Sequence, residues 1–235
     1  MIVEQFKNTK WLSNQITFSE SGKFIYMKPA KNAGTSIFRK TIQPKIPDAI
    51  CRLYSVGNDT HGHILQNKDN STKKFEEWLN NLTDEEVLND YFTFTFVRNP
   101  FDRIVSAYFH IILGNQKRDI SFKEFVKYNL LDDAGYPLNE HWLPQHLHTY
   151  CDDKCFMDYI GNVETLEDDW KYVAGKIKVN DTLPHVRPKA SDAPERKSSD
   201  YRVYYEDDET IEIVSKIYKK DLKLFNYEFE NLNRR

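Results

Sequence analysis

Two stretches of the chain share one pattern: an apolar run, a short polar turn, then apolar residues at helical spacing. The first runs Lys23-Phe24-Ile25-Tyr26-Met27-Lys28, turns through Pro29-Ala30-Lys31-Asn32-Ala33-Gly34 and continues as Thr35-Ser36-Ile37-Phe38-Arg39-Lys40. The second runs Tyr91-Phe92-Thr93-Phe94-Thr95-Phe96-Val97, turns at Arg98-Asn99-Pro100 and continues from Phe101 to about Leu113. Aromatic and β-branched runs bounded by Pro or Gly read as strands. Ile104, Val105, Tyr108, Ile111 and Ile112 recur with the period of a helix. The same period predicts helices over Lys73–Leu82, Ser121–Leu130, Leu166–Ile177 and Glu209–Phe225. Strands alternating with helices predict an α/β domain with a mainly parallel sheet.

Composition narrows the class. The chain has 235 residues, 40% of them hydrophobic and 14% aromatic, which suits a packed core and argues against disorder. Lys plus Arg number 33 against 36 Asp plus Glu, so the near-neutral balance gives no support to nucleic-acid binding. No stretch approaches the ~18–20 apolar residues of a membrane span, and the opening Met1-Ile2-Val3-Glu4-Gln5-Phe6-Lys7 has no secretory core. With only three cysteines, Cys51, Cys151 and Cys155, the expectation is a soluble, cytoplasmic protein without a disulfide framework. Cys151 and Cys155 lie near His146 and His148, but two reduced cysteines are the simpler reading and no metal is required. Pro184 to Asp200 holds three prolines and a cluster of Arg and Lys, and predicts a surface loop. A loop of that length is usually functional or disordered.

The first turn has the makings of an anion site. A short Gly-containing turn between strand and helix points backbone N–H groups at one spot, and the helix dipole adds to them. Lys31, Thr35 and Ser36 contribute an ammonium and two hydroxyls there. An ATP- or GTP-type P-loop needs Gly-Lys-[Ser/Thr], and here Gly34 is followed by Thr35. Read alone, the segment equally allows Thr35 to cap a helix and Lys31 to be solvated. The second turn places the Arg98 guanidinium at a strand end and Ser106 two helical turns later. Arg suits fork-like recognition of phosphate, and the plainer alternative is that Arg98 pairs with Asp102.

Taken together, the two segments resemble the sulfotransferases, in particular the carbohydrate group that includes the heparan 2-O- and chondroitin/dermatan enzymes. In that family a Pro-Lys-x-(Gly/Ala)-(Gly/Ser)-Thr-Ser turn holds the 5′-phosphosulfate of PAPS (3′-phosphoadenosine 5′-phosphosulfate). A downstream Arg-(Asn/Asp)-Pro-x-x-Arg-x-x-Ser element holds its 3′-phosphate. Lys31-Asn32-Ala33-Gly34-Thr35-Ser36 is similar to the first, although Pro29 stands one place further from the lysine, and Arg98 through Ser106 is similar to the second. His61-Gly62-His63 resembles the His-x-His of the 2-O-sulfotransferases. Asn139-Glu140-His141-Trp142-Leu143-Pro144-Gln145 and Tyr159-Ile160-Gly161-Asn162-Val163-Glu164-Thr165-Leu166 are similar to segments of the chondroitin-type enzymes. Leu183-Pro184-His185-Val186-Arg187 resembles the start of the loop that closes over the nucleotide.

The resemblance implies one domain over residues 1–235, a P-loop-like three-layer sandwich around a central, mainly parallel sheet, and sulfuryl transfer from PAPS to a hydroxyl of a carbohydrate acceptor with PAP as the product. The charge balance and the lack of an apolar span add the expectation of neither nucleic acid nor membrane as partner. Lys31 is then the cation that stabilises the leaving phosphate. Either His61 or His63 is the base that takes the acceptor's proton, since a histidine titrates near neutral pH. Lys28, Asn32, Ala33, Gly34, Thr35, Ser36, Arg98, Ser106, Arg187 and Lys189 surround the nucleotide, and Glu140 and His141 meet the acceptor. Residues 184–200 become a lid that excludes water. Two other readings stay open at this point: an ATP-dependent phosphotransferase on the same scaffold, and a nucleotide- or glycan-binding module without catalysis.

Overall fold

The structure, a computed structural model, describes residues 1–51, 68–180, 182–184 and 196–229. Its contacts gather into two units, the first drawn from residues 1–97 and 147–186 and the second from 98–146 and 187–235.

The first unit is organised by the strand Phe24–Met27 (β2), whose four residues are fully buried. Successive side chains of a strand point to opposite faces. Ile25 and Met27 join one apolar cluster with Phe6 of the helix Ile2–Asn8 and Phe75 of the helix Lys68–Asn81. Phe24 and Tyr26 join another with Phe38 of the helix Thr35–Ile42 and Trp170 of the helix Leu166–Ile177. Helices cover both faces, so β2 carries a continuous apolar run rather than an alternating one. The outcome is the three-layer α/β arrangement expected from the sequence.

The sheet order is β3-β1-β2-β4-β7, with Ile16–Ser19 as β1, Ile50–Cys51 as β3, Phe92–Val97 as β4 and Tyr159–Asn162 as β7. β2, β4 and β7 pair in parallel, while β1 runs antiparallel to both β2 and β3. Four of the five strands therefore point one way, and only β1 reverses. The Phe/Thr alternation of β4 sorts its two faces. Phe94 and Phe96 lie in the cluster with Trp170, whereas the Thr93 hydroxyl donates to the Phe156 carbonyl on the opposite side at 2.9 Å. A separate hairpin, Tyr150–Cys151 (β5) against Lys154–Cys155 (β6), turns through Asp152 and Asp153 at φ 48° and 61°. Two consecutive left-handed residues make the type I′ turn that matches strand twist.

The second unit centres on the helix Pro100–Ala107, which continues through wider turns over Tyr108–Asn115. Phe101, Ile104, Val105 and Tyr108 pack with Phe122 and Phe125 of the helix Phe122–Tyr128 and Val214 of the helix Asp208–Ile217. Ser121 and Glu124 form a reciprocal cap at the start of Phe122–Tyr128. The helix expected over Glu209–Phe225 is two helices, Asp208–Ile217 and Lys219–Leu224, divided at Tyr218. That phenol donates to the Trp142 carbonyl and is itself buried, so its position is set by the core rather than by helical propensity. Among the described residues no helix is long and apolar enough to cross a membrane.

Two core positions generate expectations. A Cβ on Gly161 of β7 would stand 2.6 Å from Phe96 Cε1 and 3.0 Å from Asp169 Cβ, so Gly161→Ala is expected to lower the unfolding free energy by about 1–3 kcal/mol in chemical denaturation. Thr95 is fully buried and its hydroxyl meets no hydrogen-bond partner among the described residues. An isosteric methyl removes that burden, so Thr95→Val is expected to raise the midpoint of thermal unfolding, by roughly 1 kcal/mol of stability.

Candidate functional site

In the first unit the turn after β2 is held from below by Gln15. The Lys28 amide donates to the Gln15 backbone carbonyl at 2.7 Å, and the Ala30 amide to its side-chain oxygen at 3.0 Å. His148 Nε2 lies 2.8 Å from that same oxygen, which, accepting from both, fixes the proton on Nε2. Asn32 is fully buried, and its side-chain amide donates to the Phe96 carbonyl near the end of β4 at 2.7 Å. Its side chain thus anchors the turn, and what it turns outward is backbone.

The backbone of the turn is unusual. Lys31 and Ala33 are left-handed at φ 70° and 57°, and Gly34 returns to the right-handed region at φ −56°. Neither left-handed residue is glycine, so each costs roughly 1–2 kcal/mol against an ordinary conformation. A left-handed residue followed by a right-handed one turns consecutive N–H groups to one side, forming an anion-binding concavity. Gly34 is the N-terminal cap of the helix Thr35–Ile42, and no side chain caps that end. The alternative in which Thr35 caps the helix is therefore not the one adopted. The Ile37 amide donates to the Ala33 carbonyl at 3.1 Å, which leaves the amides of the half-buried Thr35 and Ser36 as the ones suited to an anion.

Gly34 is needed for a different reason than backbone freedom. A Cβ there would stand 2.7 Å from Lys28 Cγ and 2.8 Å from Lys28 Cδ, with the Lys28 ammonium 3.7 Å away. Lys28 is 5% exposed, so a buried lysine stem crosses the turn through the space the glycine leaves. Lys28 and the half-buried Lys31 thus both belong to the same turn. This set suits the phosphosulfate end of a nucleotide: cations, inward-turned amides and two hydroxyls.

In the second unit the Arg-Asn-Pro sequence has a clear division of labour. Arg98 is the first residue after β4. Asn99 caps the helix, its side-chain oxygen accepting from the Phe101 amide at 3.0 Å, and Pro100 takes the first helical position, where no amide proton is needed. Within Pro100–Ala107 only Asp102 and Ser106 escape burial, and they are four residues apart. The accessible stripe of the helix therefore carries Asp102 and Ser106, with Arg98 one turn before them. Arg98 does pair with Asp102, Nε at 2.8 Å and Nη2 at 2.6 Å from one carboxylate oxygen.

Neighbours fix this arrangement in place. The fully buried Gln145 side chain accepts from the Arg98 amide at 2.9 Å and donates to the Arg98 carbonyl at 2.8 Å, a two-way clamp on the backbone. Gln145 is held in turn by buried Asp221, which accepts its amide at 2.6 Å, the His146 amide at 2.9 Å and His146 Nδ1 at 2.6 Å. Arg103, the second arginine of the element, is fully buried and donates to the Leu143 carbonyl at 2.7 Å. Burial pulls its pKa below the usual guanidinium value, opposed by Tyr218 and Asp221, so it is structural rather than a ligand-binding cation. Burial likewise pushes the Tyr205 and Tyr218 phenols well above their usual values, which keeps them neutral.

The remaining expectations divide as follows. Asn139 accepts from the His141 amide at 3.0 Å and lies 2.7 Å from His141 Nδ1, which orients the ring. Glu140 and His141 are both half-buried in the second unit. Trp142 of the same segment is 3% exposed and donates to the Leu130 carbonyl, so it is core. His61, His63, Arg187 and Lys189 lie outside the described residues, as does most of 184–200. Cys151 and Cys155 are free thiols on the β5–β6 hairpin, and burial raises the Cys151 pKa. Among the described residues no cluster of His, Cys, Asp or Glu is arranged to hold a metal ion. Gln15, His148, Gln145 and Asp221 were not legible as site residues, since single amides, acids and imidazoles whose partners are distant in sequence carry no local pattern.

Residues 14–228 match the sulfotransferase family, and the chain belongs to it. It is 31% identical over 188 residues to carbohydrate sulfotransferase 14 of Mus musculus, covering 67% of this chain and 48% of that protein. It is 30% identical over 177 residues to carbohydrate sulfotransferase 11 of Rattus norvegicus, covering 61% and 49%. An uncharacterised protein of Archaeoglobus fulgidus is 33% identical over 105 residues, covering 45% of this chain and 82% of its own. The chain spans about half the length of the carbohydrate sulfotransferases it matches. No solved structure matches it.

The left-handed Ala33 makes the turn testable without any ligand. Ala33→Gly relieves its strain, partly offset by the entropy a glycine adds to the unfolded chain, and is expected to gain up to about 1 kcal/mol. Ala33→Val puts a β-branched residue at φ > 0 and is expected to lose about 1–2 kcal/mol. Equal thermal midpoints for both variants would mean the turn does not hold this conformation in solution.

Proposed function

We propose that the protein is a PAPS-dependent sulfotransferase that moves a sulfuryl group to a hydroxyl of a carbohydrate acceptor. The observation that carries this is the turn of residues 28–36, where two lysines, two left-handed residues and an uncapped helix start coincide in a chain of the sulfotransferase family. The names of the carbohydrate sulfotransferases it is similar to support a sugar as acceptor.

When bound, PAPS supplies an activated sulfuryl group attached to a phosphate. The backbone amides of Ala33, Gly34 and the first helical turn bind and orient that phosphate through the dipole of Thr35–Ile42. Negative charge grows on the phosphate as its bond to sulfur breaks, and the Lys31 ammonium, on a flexible stem, is the group that follows and stabilises it. Lys28, buried under Gly34, adds fixed positive potential. Arg98 and Ser106 take the 3′-phosphate, Arg98 by its fork and Ser106 by its hydroxyl. Arg187 and Lys189 add cations around the nucleotide, and residues 184–200 exclude water from the reacting groups. One of His61 and His63 takes the proton from the acceptor hydroxyl, and Glu140 and His141 bind the acceptor.

Lys31→Ala separates chemistry from binding. Turnover with labelled PAPS is expected to fall by roughly a hundredfold or more, while PAP affinity measured by calorimetry falls by less than about tenfold, as for a group acting mainly in the transition state. Parallel losses would reduce Lys31 to a binding residue. Absence of any PAP binding by the wild type would overturn the sulfotransferase reading altogether.

A further inference from the structure

The accessible stripe of the Pro100–Ala107 helix meets a second arginine that nothing in the Arg98-to-Ser106 element contains. Arg196 Nη2 donates to Asp102 Oδ1 at 3.0 Å, while Arg98 occupies the other oxygen, Oδ2. One carboxylate therefore holds two guanidiniums, and the three groups keep a formal surplus of one positive charge. All three are mostly shielded from solvent, with side-chain exposures of 16% for Arg98, 20% for Asp102 and 24% for Arg196. Shielding strengthens the attraction of such a cluster for an anion relative to exposed charges.

Arg196 is also held from outside the carboxylate. Its guanidinium lies 5.8 Å from the centre of the Tyr204 ring, within cation–π range. Tyr204 is tied to the same segment, its hydroxyl accepting from the Ser198 amide at 3.1 Å. Asp200 caps the turn Tyr201–Tyr204 and pairs with Arg202 at 2.7 Å. The segment 196–204 is thus built around its own contacts, and it delivers Arg196 to Asp102. The Nε of Arg196 is buried and meets no partner among the described residues. A guanidinium donor turned away from water without an acceptor is a costly arrangement unless a ligand completes it.

We infer that Arg196 is a second phosphate-binding arginine beside Arg98, that Asp102 positions both, and that the ligand group is the 3′-phosphate of the nucleotide. A phosphomonoester dianion offers three acceptor oxygens and suits two forks better than one. This inference rests on the PAPS reading and adds to it a discriminating residue outside the Arg98-to-Ser106 element.

The test compares PAP with adenosine 5′-phosphate, which differs in lacking the 3′-phosphate, by calorimetry on the whole chain. In the wild type PAP is expected to bind more tightly. Arg196→Ala is expected to weaken PAP by roughly tenfold to a hundredfold and adenosine 5′-phosphate by less than about twofold. Arg196→Lys, which keeps the charge without the fork, is expected to fall between, and matching thermal midpoints for the two variants control for folding. Asp102→Asn adds net positive charge, so a loss of PAP affinity marks positioning; tighter PAP binding would show that Asp102 only dilutes the field and would remove it from the inference. If both variants of Arg196 retain the wild-type preference for PAP, the arginine serves only the loop and the inference is wrong. If the wild type itself does not distinguish the two nucleotides, the PAPS reading fails with it.

Discussion

A single buried hydrogen bond, from the Asn32 side chain to the Phe96 carbonyl, is what the strained turn after β2 depends on. Without an anchor, a turn with two left-handed residues that are not glycine relaxes to an ordinary conformation. Asn32 sits between those two residues and is fully buried, so its amide must find a partner inside the protein. Its bond to β4 holds the backbone between Lys31 and Ala33, the two left-handed residues on either side. Gln15 secures the near end of the turn and packing of Ile37 and Phe38 secures the far end. The stored strain is thereby spread over a core that helices cover on both faces.

The second unit solves a related problem with charge. A helix that ends a strand junction with Arg-Asn-Pro begins with a cap, a rigid first residue and a guanidinium aimed along its accessible stripe. The burial of Arg103 keeps that stripe narrow, since every position of Pro100–Ala107 other than Asp102 and Ser106 is committed to the core. Gln145 and Asp221 then hold the Arg98 backbone through hydrogen bonds that do not involve its side chain. The guanidinium is left to electrostatics and the main chain to amide geometry. Such a separation lets a side chain be stiff at its base and responsive at its tip.

How far the sequence spoke depended on whether a feature was local. β2 and β4 announced themselves through runs of aromatic and β-branched residues, and the helix Leu166–Ile177 through its period, because each pattern is complete within a dozen residues. β1 and β7 did not, since Ile16–Ser19 and Tyr159–Asn162 are four residues each and become strands only by pairing with distant partners. The cations of the site were legible for the same reason: Lys31 and Arg98 sit in turns whose chemistry is written in adjacent residues. Asp102 was readable as a partner of Arg98, four residues away. Its bond to Arg196 spans 94 residues, and no local pattern encodes that.

Gly34 and Lys28 share one volume: the missing side chain of the first is the passage for the stem of the second. In such a pair neither position drifts alone, because enlarging one evicts the other and shortening the other leaves a void beneath the helix start. The six-residue step between them therefore behaves as a single heritable unit. A designer who wishes to retune the turn must redraw both ends at once.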